Sequence, residues 1–474
     1  MPIDTILIVF ILLAGLYMAW SIGANDVANA MGTSVGSGAL TLFKAVIIAG
    51  ILEFCGAFFL GGHVSRTIQE GLIYPETFAH NPQILLLGML SSLIATAFWL
   101  QVASYFGWPV STTHAIIGAL LGFGTLIGGR YAVDWQEVLK IVFSWIISPA
   151  LSALFAFLIF SILQRKVLFA MNPIYATKRL IPLLTCVVLI VFVLSSLAHG
   201  IGILQVELTF LQTLLLAGGA GLLGWIVALL LLKRFKVSDV KSRLQTPNVS
   251  QQIFSLNKVL KHLKRIQLTA KGNRSEEIRK ILFKVQTYAE EMKNKSGFYT
   301  KSSDFQIVEK MFAYLQILSA SYVAFAHGAN DVANAIGPVA AALDILKTGS
   351  VSFGPRIPPY LLALGGIGIV IGLATWGWRV METIGKKITE LTPTRGFSAE
   401  FGAATTILLA SKLGLPISTT HCIVGGVLGV GLARGISALN LRILRDIVLS
   451  WIITIPSSAI ACILIFYIFK AIFL

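Results

Sequence analysis

The octapeptide Gly23-Ala24-Asn25-Asp26-Val27-Ala28-Asn29-Ala30 occurs twice in this chain, returning as Gly328-Ala329-Asn330-Asp331-Val332-Ala333-Asn334-Ala335. Each copy follows directly on an apolar run long enough to enter a bilayer, Ile6 to Trp20 and Phe312 to Phe325. A carboxylate and two amides at bilayer depth are costly, and such groups mark solute and ion paths. Matching polar segments in two halves of an apolar chain point to a binding site between repeats.

The duplication extends well beyond one motif. Pro109-Val110-Ser111-Thr112-Thr113-His114 matches Pro416-Ile417-Ser418-Thr419-Thr420-His421, and Ser144-Trp145-Ile146-Ile147 matches Ser450-Trp451-Ile452-Ile453. The three offsets are 305, 307 and 306 residues (328 less 23, 416 less 109, 450 less 144). Motifs that stay in register over such a distance identify a duplicated unit with an insert. The chain accordingly divides into a first transport repeat (1–165), a connecting helix pair (166–232), a basic insert (233–310) and a second repeat (311–474).

With 56% hydrophobic and 12% charged residues, the chain lacks the surface that a water-soluble protein of 474 residues needs. Recurrent apolar runs of roughly 20 residues make it an all-α polytopic membrane protein instead. The net charge of +16 is concentrated in the insert, where 18 Lys/Arg face seven Asp/Glu. A basic loop between membrane spans reads as cytoplasmic rather than as a nucleic-acid surface. Its stretch from Leu256 to Met292 has helical periodicity and predicts one or two amphipathic helices.

Seven apolar segments precede the insert, five in the first repeat and two connecting ones. An odd number places the second repeat upside down relative to the first, and a re-entrant hairpin at Ser-Thr-Thr keeps that parity. With the insert inside, both termini lie outside. The first apolar run lacks a basic flank and leads straight into the motif, so it is expected to be retained rather than cleaved. Gly32 to Thr41 predicts a bend, Gly61 to Asn81 a loop, and Pro149 a kink.

The two motif types offer opposite chemistry. Asp26 and Asp331 bring carboxylates, and Asn29 and Asn334 stand three residues on, on the same helix face. Oxygen ligands of this kind suit a hard cation such as Na⁺ and not a transition metal. In the Pro-Ser-Thr-Thr-His segments, proline ends one helix and Ser111 or Ser418 caps the next. The free N–H groups of the new helix then form an anion site lined by the hydroxyls of Ser111, Thr112, Thr113, Ser418, Thr419 and Thr420. Asn25 and Asn330 lie close enough in sequence to contribute. Glu53 and Glu400 have no acidic counterpart in the other half, and both join the cation candidates. His114 and His421 are alternative proton carriers. His327 stands where the first motif has Ile22, and Lys412 falls opposite Gln101 or Val102 in a rough alignment. No nucleophile–base pair appears, so an enzyme is not expected.

The paired Gly-Ala-Asn-Asp-Val-Ala-Asn-Ala and Pro-Val/Ile-Ser-Thr-Thr-His motifs resemble those of the inorganic phosphate transporter (PiT) family. The likeness covers both repeats and excludes the insert. It implies about twelve membrane segments in two inverted repeats and cation-coupled symport of inorganic phosphate. Gly32-Thr33-Ser34-Val35-Gly36-Ser37-Gly38, Glu53 and Gly396-Phe397-Ser398-Ala399-Glu400 are similar to the Na⁺-coupled branch. The resulting expectation is Na⁺-driven phosphate import across the cell membrane, with no cofactor and a possible homodimer. Proton or metal-phosphate coupling, or another oxyanion such as sulfate, is the alternative.

Overall fold

In the computed structural model, the described residues are 3–70, 72–197, 208–234, 273–299, 303–354, 356–378, 391–435 and 441–474, with isolated positions between 256 and 267. Among them the chain is helical apart from turns and one bridge between Ile73 and Val133. The first half contains α1 (Ile3–Asn25), α2 (Val27–Gly36), α3 (Leu42–Leu60), α4 (Gly62–Glu70), α5 (Pro82–Tyr105), α6 (Thr112–Ile127) and α7 (Trp135–Leu163). Then follow α8 (Pro173–Leu197), α9 (Phe210–Leu232) and the insert helix α10 (Asn273–Tyr299). The second half contains α11 (Ser303–Thr348), α12 (Pro359–Trp376), α13 (Pro393–Lys412), α14 (Thr419–Arg434) and α15 (Leu441–Phe473).

Eight of the described helical segments are long and apolar enough to cross a membrane, and α6 is a shorter apolar helix. Helices α11, α13 and α14 fall outside that set; α14 has only 16 residues, and α11 carries the acid and amides of the second Asn/Asp motif. Apolar side chains such as Phe43, Phe143, Ile146 and Ile452 are more than 60% exposed. Exposure of that kind suits hydrocarbon as the surrounding solvent.

Two compact units divide the described chain. One comprises Met1–Phe160, Val187–Gly221 and Ala313–Leu474, and it holds every motif residue; the other comprises Ser161–Cys186 and Leu222–Phe312. Val187–Gly221 groups with the motifs.

Inside the first unit, the two halves pack across each other. Helix α1 lies against α12, and α6 against α15. Glycines permit the closest approaches. A Cβ on Gly23 would collide with the Ile369 carbonyl of α12, and one on Gly328 with the Glu53 carbonyl of α3. Helices α6 and α14 follow the same rule: Gly118 abuts Ile455 of α15, and Gly425 abuts Pro149 of α7. Small residues of this kind bring membrane helices into backbone contact.

Several local expectations are revised. Helix α2 runs through Gly36, so the bend is confined to residues 37–41, where Gly38 has φ +77°. The segment expected as a loop from 61 to 81 contains α4 and a 3₁₀ turn, Pro75–Phe78. Its Val64, Ser65, Ile68 and Gln69 are buried while His63 and Arg66 face outward, a helical alternation that the polar composition conceals. Pro149, the expected kink, lies inside α7. Helix α10 fulfils part of the amphipathic reading of the insert; the remainder of that stretch lies largely outside the described residues.

Candidate functional site

The proline breaks form as the sequence requires. Helix α5 ends at Tyr105, Gly107 turns the chain with φ +67°, and Ser111 caps α6 by accepting the His114 N–H at 3.2 Å. The second copy repeats this geometry: α13 ends at Lys412, Gly414 has φ +67°, and Ser418 caps α14 by accepting the His421 N–H at 3.2 Å. Each helix therefore starts inside the protein, with its first N–H groups and the Thr112/Thr113 or Thr419/Thr420 hydroxyls at the break. All four threonines are buried.

The Asn/Asp motifs meet these helix starts. Thr112 Oγ1 donates to Asp26 Oδ2 at 2.7 Å, and Thr419 Oγ1 donates to Asp331 Oδ2 at 2.9 Å. The halves are tied across each other as well. Thr420 Oγ1 lies 3.4 Å from Asp26 Oδ1, and Asn334 Nδ2 donates to Thr112 and Thr113 at 3.2 and 3.3 Å. Thr113 donates to the Ile417 carbonyl and Thr420 to the Val110 carbonyl, at 2.9 and 3.2 Å. Asn25 Nδ2 reaches Ser104 Oγ and the Trp108 carbonyl, at 3.0 and 3.2 Å. Asn330 Nδ2 reaches Ser411 Oγ and the Leu415 carbonyl, at 3.0 and 3.3 Å. With its amide turned over, Asn330 instead donates to Asp331 Oδ1 and the Ile417 carbonyl, both at 3.2 Å, and accepts from Ser411. The matching serines, 104 and 411, are 307 apart, so Lys412 corresponds to Tyr105 rather than to Gln101 or Val102.

The halves differ in two respects. Helix α1 ends at Asn25 and α2 begins at Val27, with Asp26 between them in right-handed helical geometry and its N–H still bonded to the Ile22 carbonyl at 2.8 Å, whereas Asp331 lies within α11. His327 is the second difference. It is fully buried, with Nδ1 2.7 Å from Glu53 Oε2 and Nε2 3.0 Å from Asp331 Oδ2. Glu53 thus joins the centre through His327. One ligand atom each of Asp26, His327 and Asp331 lie within 4.8 Å of one another.

Glu400 lies in a separate buried nest. Thr33 and Ser34 donate to its Oε1 at 2.5 and 2.8 Å, Gln316 Nε2 donates at 3.1 Å, and Ser319 donates to Oε2 at 2.5 Å. Glu400 is wholly buried although it stands near the start of α13. Gln316 and Ser319 carry no sequence signal, since isolated polar residues on an apolar helix usually bond locally. The Asn29 side chain lies outside the described residues. His114 and His421 pack edge to face, with ring centroids 4.5 Å apart; His114 lies tilted against Trp145, and His421 stacks on Trp451.

Two buried carboxylates therefore stand among threonine hydroxyls at the facing starts of two helices. Oxygen ligands for a hard cation and donors for an anion share one centre. The sequence profile described as "Phosphate transporter family" matches residues 22–462. An Arabidopsis thaliana protein named "Inorganic phosphate transporter 2-1, chloroplastic" is 45% identical over 463 residues, covering 97% of this chain and 72% of the relative. A solved structure described as "The sodium-dependent phosphate transporter" superposes with a TM-score of 0.79 at 36% identity, covering 98% of this chain and 99% of that one. The chain therefore belongs to the phosphate transporter family, a family of membrane carriers rather than enzymes.

Proposed function

We propose that this protein imports inorganic phosphate by symport with Na⁺, binding both near the bilayer midplane and alternating access between the two sides. The observation that carries this reading is the pair of Thr–Asp contacts, Thr112–Asp26 and Thr419–Asp331, which joins the anion-binding helix starts to the cation-binding acids. Phosphate sits against the N–H groups and hydroxyls of Ser111–Thr113 and Ser418–Thr420, with Asn25 and Asn330 beside it. Na⁺ sits against Asp26, Asn29, Asp331 and Asn334, with Glu53 acting through His327. The Glu400 nest already supplies four donors to its carboxylate. It is read as a structural tie between α2, α11 and α13 rather than as a first cation site.

The physical need for coupling is simple. Each negative charge moved into an inside-negative compartment costs about 2.3 kcal/mol per 100 mV. A cation bound with the anion cancels that cost, and further cations drive accumulation. The two halves form inverted repeats that rock about the centre. Insert 233–310 lies on the cytoplasmic side of the cell membrane and both termini lie outside. The structural neighbour's sodium dependence supports Na⁺ as the coupling ion. The line Glu53–His327–Asp331, with heteroatom separations of 2.7 and 3.0 Å, favours protons as the second reading.

The test is radiolabelled phosphate uptake into proteoliposomes of the purified protein, under a Na⁺ gradient or a proton gradient, with sulfate as competitor. Uptake under the Na⁺ gradient alone, unaffected by sulfate, is expected. Uptake under the proton gradient alone reverses the coupling assignment. Uptake under neither refutes the symport reading.

A further inference from the structure

The two Asn/Asp motifs offer only oxygen atoms to a cation, and the fold adds a nitrogen to them. His327 stands one residue before the second motif, where the first half has Ile22. Its ring is fully buried, and one ligand atom each of Asp26, His327 and Asp331 lie within 4.8 Å of one another. Nε2 lies 3.0 Å from Asp331 Oδ2 and has no hydrogen-bond partner.

The far side of the imidazole gives the reason. Nδ1 lies 2.7 Å from Glu53 Oε2. A carboxylate only accepts, so it holds the ring proton on Nδ1 and leaves the lone pair on Nε2. That lone pair faces carboxylate oxygens, which are acceptors too. Three electron-pair donors therefore converge. Each is also held from behind: Glu53 orients the imidazole, Thr112 donates to Asp26 Oδ2 at 2.7 Å, and Thr419 donates to Asp331 Oδ2 at 2.9 Å. Metal-binding histidines carry such a carboxylate on the other nitrogen, and metal-binding carboxylates are hydrogen-bonded in turn.

The imidazole and its support come as a pair. Gly23 approaches the Ile369 carbonyl as Gly328 approaches the Glu53 carbonyl, so Ile369 is the counterpart of Glu53, as Ile22 is of His327. One half carries both polar residues and the other carries neither. The resulting donor set selects an ion. Mg²⁺ takes oxygen ligands, whereas imidazole suits Zn²⁺ and its neighbours in the first transition row. Two carboxylates and one imidazole make three protein ligands, the number found at open zinc sites.

From this we infer that Asp26, His327 and Asp331 form a binding site for a divalent transition-metal ion such as Zn²⁺, with Glu53 as its positioning residue, and that this ion competes with Na⁺ for the two acids. The metal site stands on the geometry, and the competition rests on the Na⁺ reading above. The motifs by themselves suit a hard cation; a histidine outside both of them changes the set.

The experiment is equilibrium binding of radiolabelled Zn²⁺ to the purified full-length protein, freed of any histidine tag, with X-ray absorption at the zinc edge of the loaded protein. Saturable binding is expected, with one imidazole and otherwise oxygen ligands in the spectrum. His327→Gln is expected to weaken binding about a hundredfold and Glu53→Gln about tenfold. Zn²⁺ affinity falls as Na⁺ replaces an equal concentration of choline. A spectrum with no imidazole, with sulfur, or with the two imidazoles that His114 and His421 would supply overturns the inference, as does equal Zn²⁺ binding by the parent and His327→Gln. The spectrum is read on the parent protein, so a folding defect in a variant does not decide the outcome. Zn²⁺ bound through one imidazole but not displaced by Na⁺ overturns the competition and refutes the placing of Na⁺ at the two acids, while the metal site stands. Absence of saturable Zn²⁺ binding overturns the metal site and leaves the Na⁺ reading as it was.

Discussion

The Thr112 hydroxyl donates to Asp26 at 2.7 Å, so the first side chain of α6 is bonded directly to an acid of the distant Asn/Asp motif. Thr419 and Asp331 repeat the bond at 2.9 Å. Removing a donor from a buried carboxylate costs about 1–3 kcal/mol. Thr112→Ala is therefore expected to cut Na⁺-dependent phosphate uptake about tenfold or more, and Thr112→Ser to restore most of it. Initial uptake rates across a Na⁺ titration check this; an alanine variant with unchanged Na⁺ dependence would show that the hydroxyl is idle.

Ser111 and Ser418 set the helix starts. Loss of a serine cap costs about 1 kcal/mol. A helix start that frays presents its N–H groups less well to an anion. Ser418→Ala is expected to raise the apparent KM for phosphate about fivefold while the Na⁺ requirement changes less. The ratio of the two KM changes is the readout.

The backbone contact of α11 with α3 leaves no room for a methyl group at Gly328. The obstacle is the Glu53 carbonyl, which cannot rotate away as a side chain could. Gly328→Ala should lower the melting temperature in detergent by an amount that matches about 1–3 kcal/mol of overpacking. Gly218→Ala in α9 is the control, because a methyl group there meets nothing within 4 Å.

Glu400 accepts four side-chain donors, and an amide can accept at only one of its two ends. Glu400→Gln should thus set an N–H₂ group against hydroxyls or against the Gln316 amide, at a cost of about 1–3 kcal/mol. The expected signature is a lower melting temperature with little change in Na⁺ affinity among the molecules that stay folded. A selective loss of Na⁺ affinity would instead make Glu400 a ligand.

At the start of α7, Asp134 accepts the backbone N–H groups of Gln136 and Glu137, both at 3.0 Å. The Glu137 N–H holds its carboxyl below the usual range. A depressed folded value stabilises the fold above the unfolded value of about 3.9 and loses that contribution as pH falls through the folded value. Asp134→Ala should cost about 1 kcal/mol near neutral pH and nothing once the parent's carboxyl is protonated. Thermal unfolding at several pH values distinguishes the two regimes.

Much of this site can be read from the chain itself. The octapeptide and the Pro-Ser-Thr-Thr-His segments repeat nearly intact, and burial forces such polar groups to find one another. What the sequence concealed is which residues oppose which. The motifs recur at offsets of 305 to 307, but Glu53 and its counterpart Ile369 are 316 apart (369 less 53). The second half is longer between its Asn/Asp motif and the following span, so linear alignment places Glu53 beside the wrong residue. The Glu400 nest was hidden for another reason: its donors come from two helices distant in sequence, Thr33 and Ser34 on α2 and Gln316 and Ser319 on α11, and nothing in the sequence pairs them with Glu400.

The glycines of the two octapeptides give the halves a shared mechanics. Gly23 of α1 lies against the Ile369 carbonyl of α12, and Gly328 of α11 lies against the Glu53 carbonyl of α3. Each octapeptide is thus clasped by a helix of the opposite half, and neither can shift without dragging that helix along.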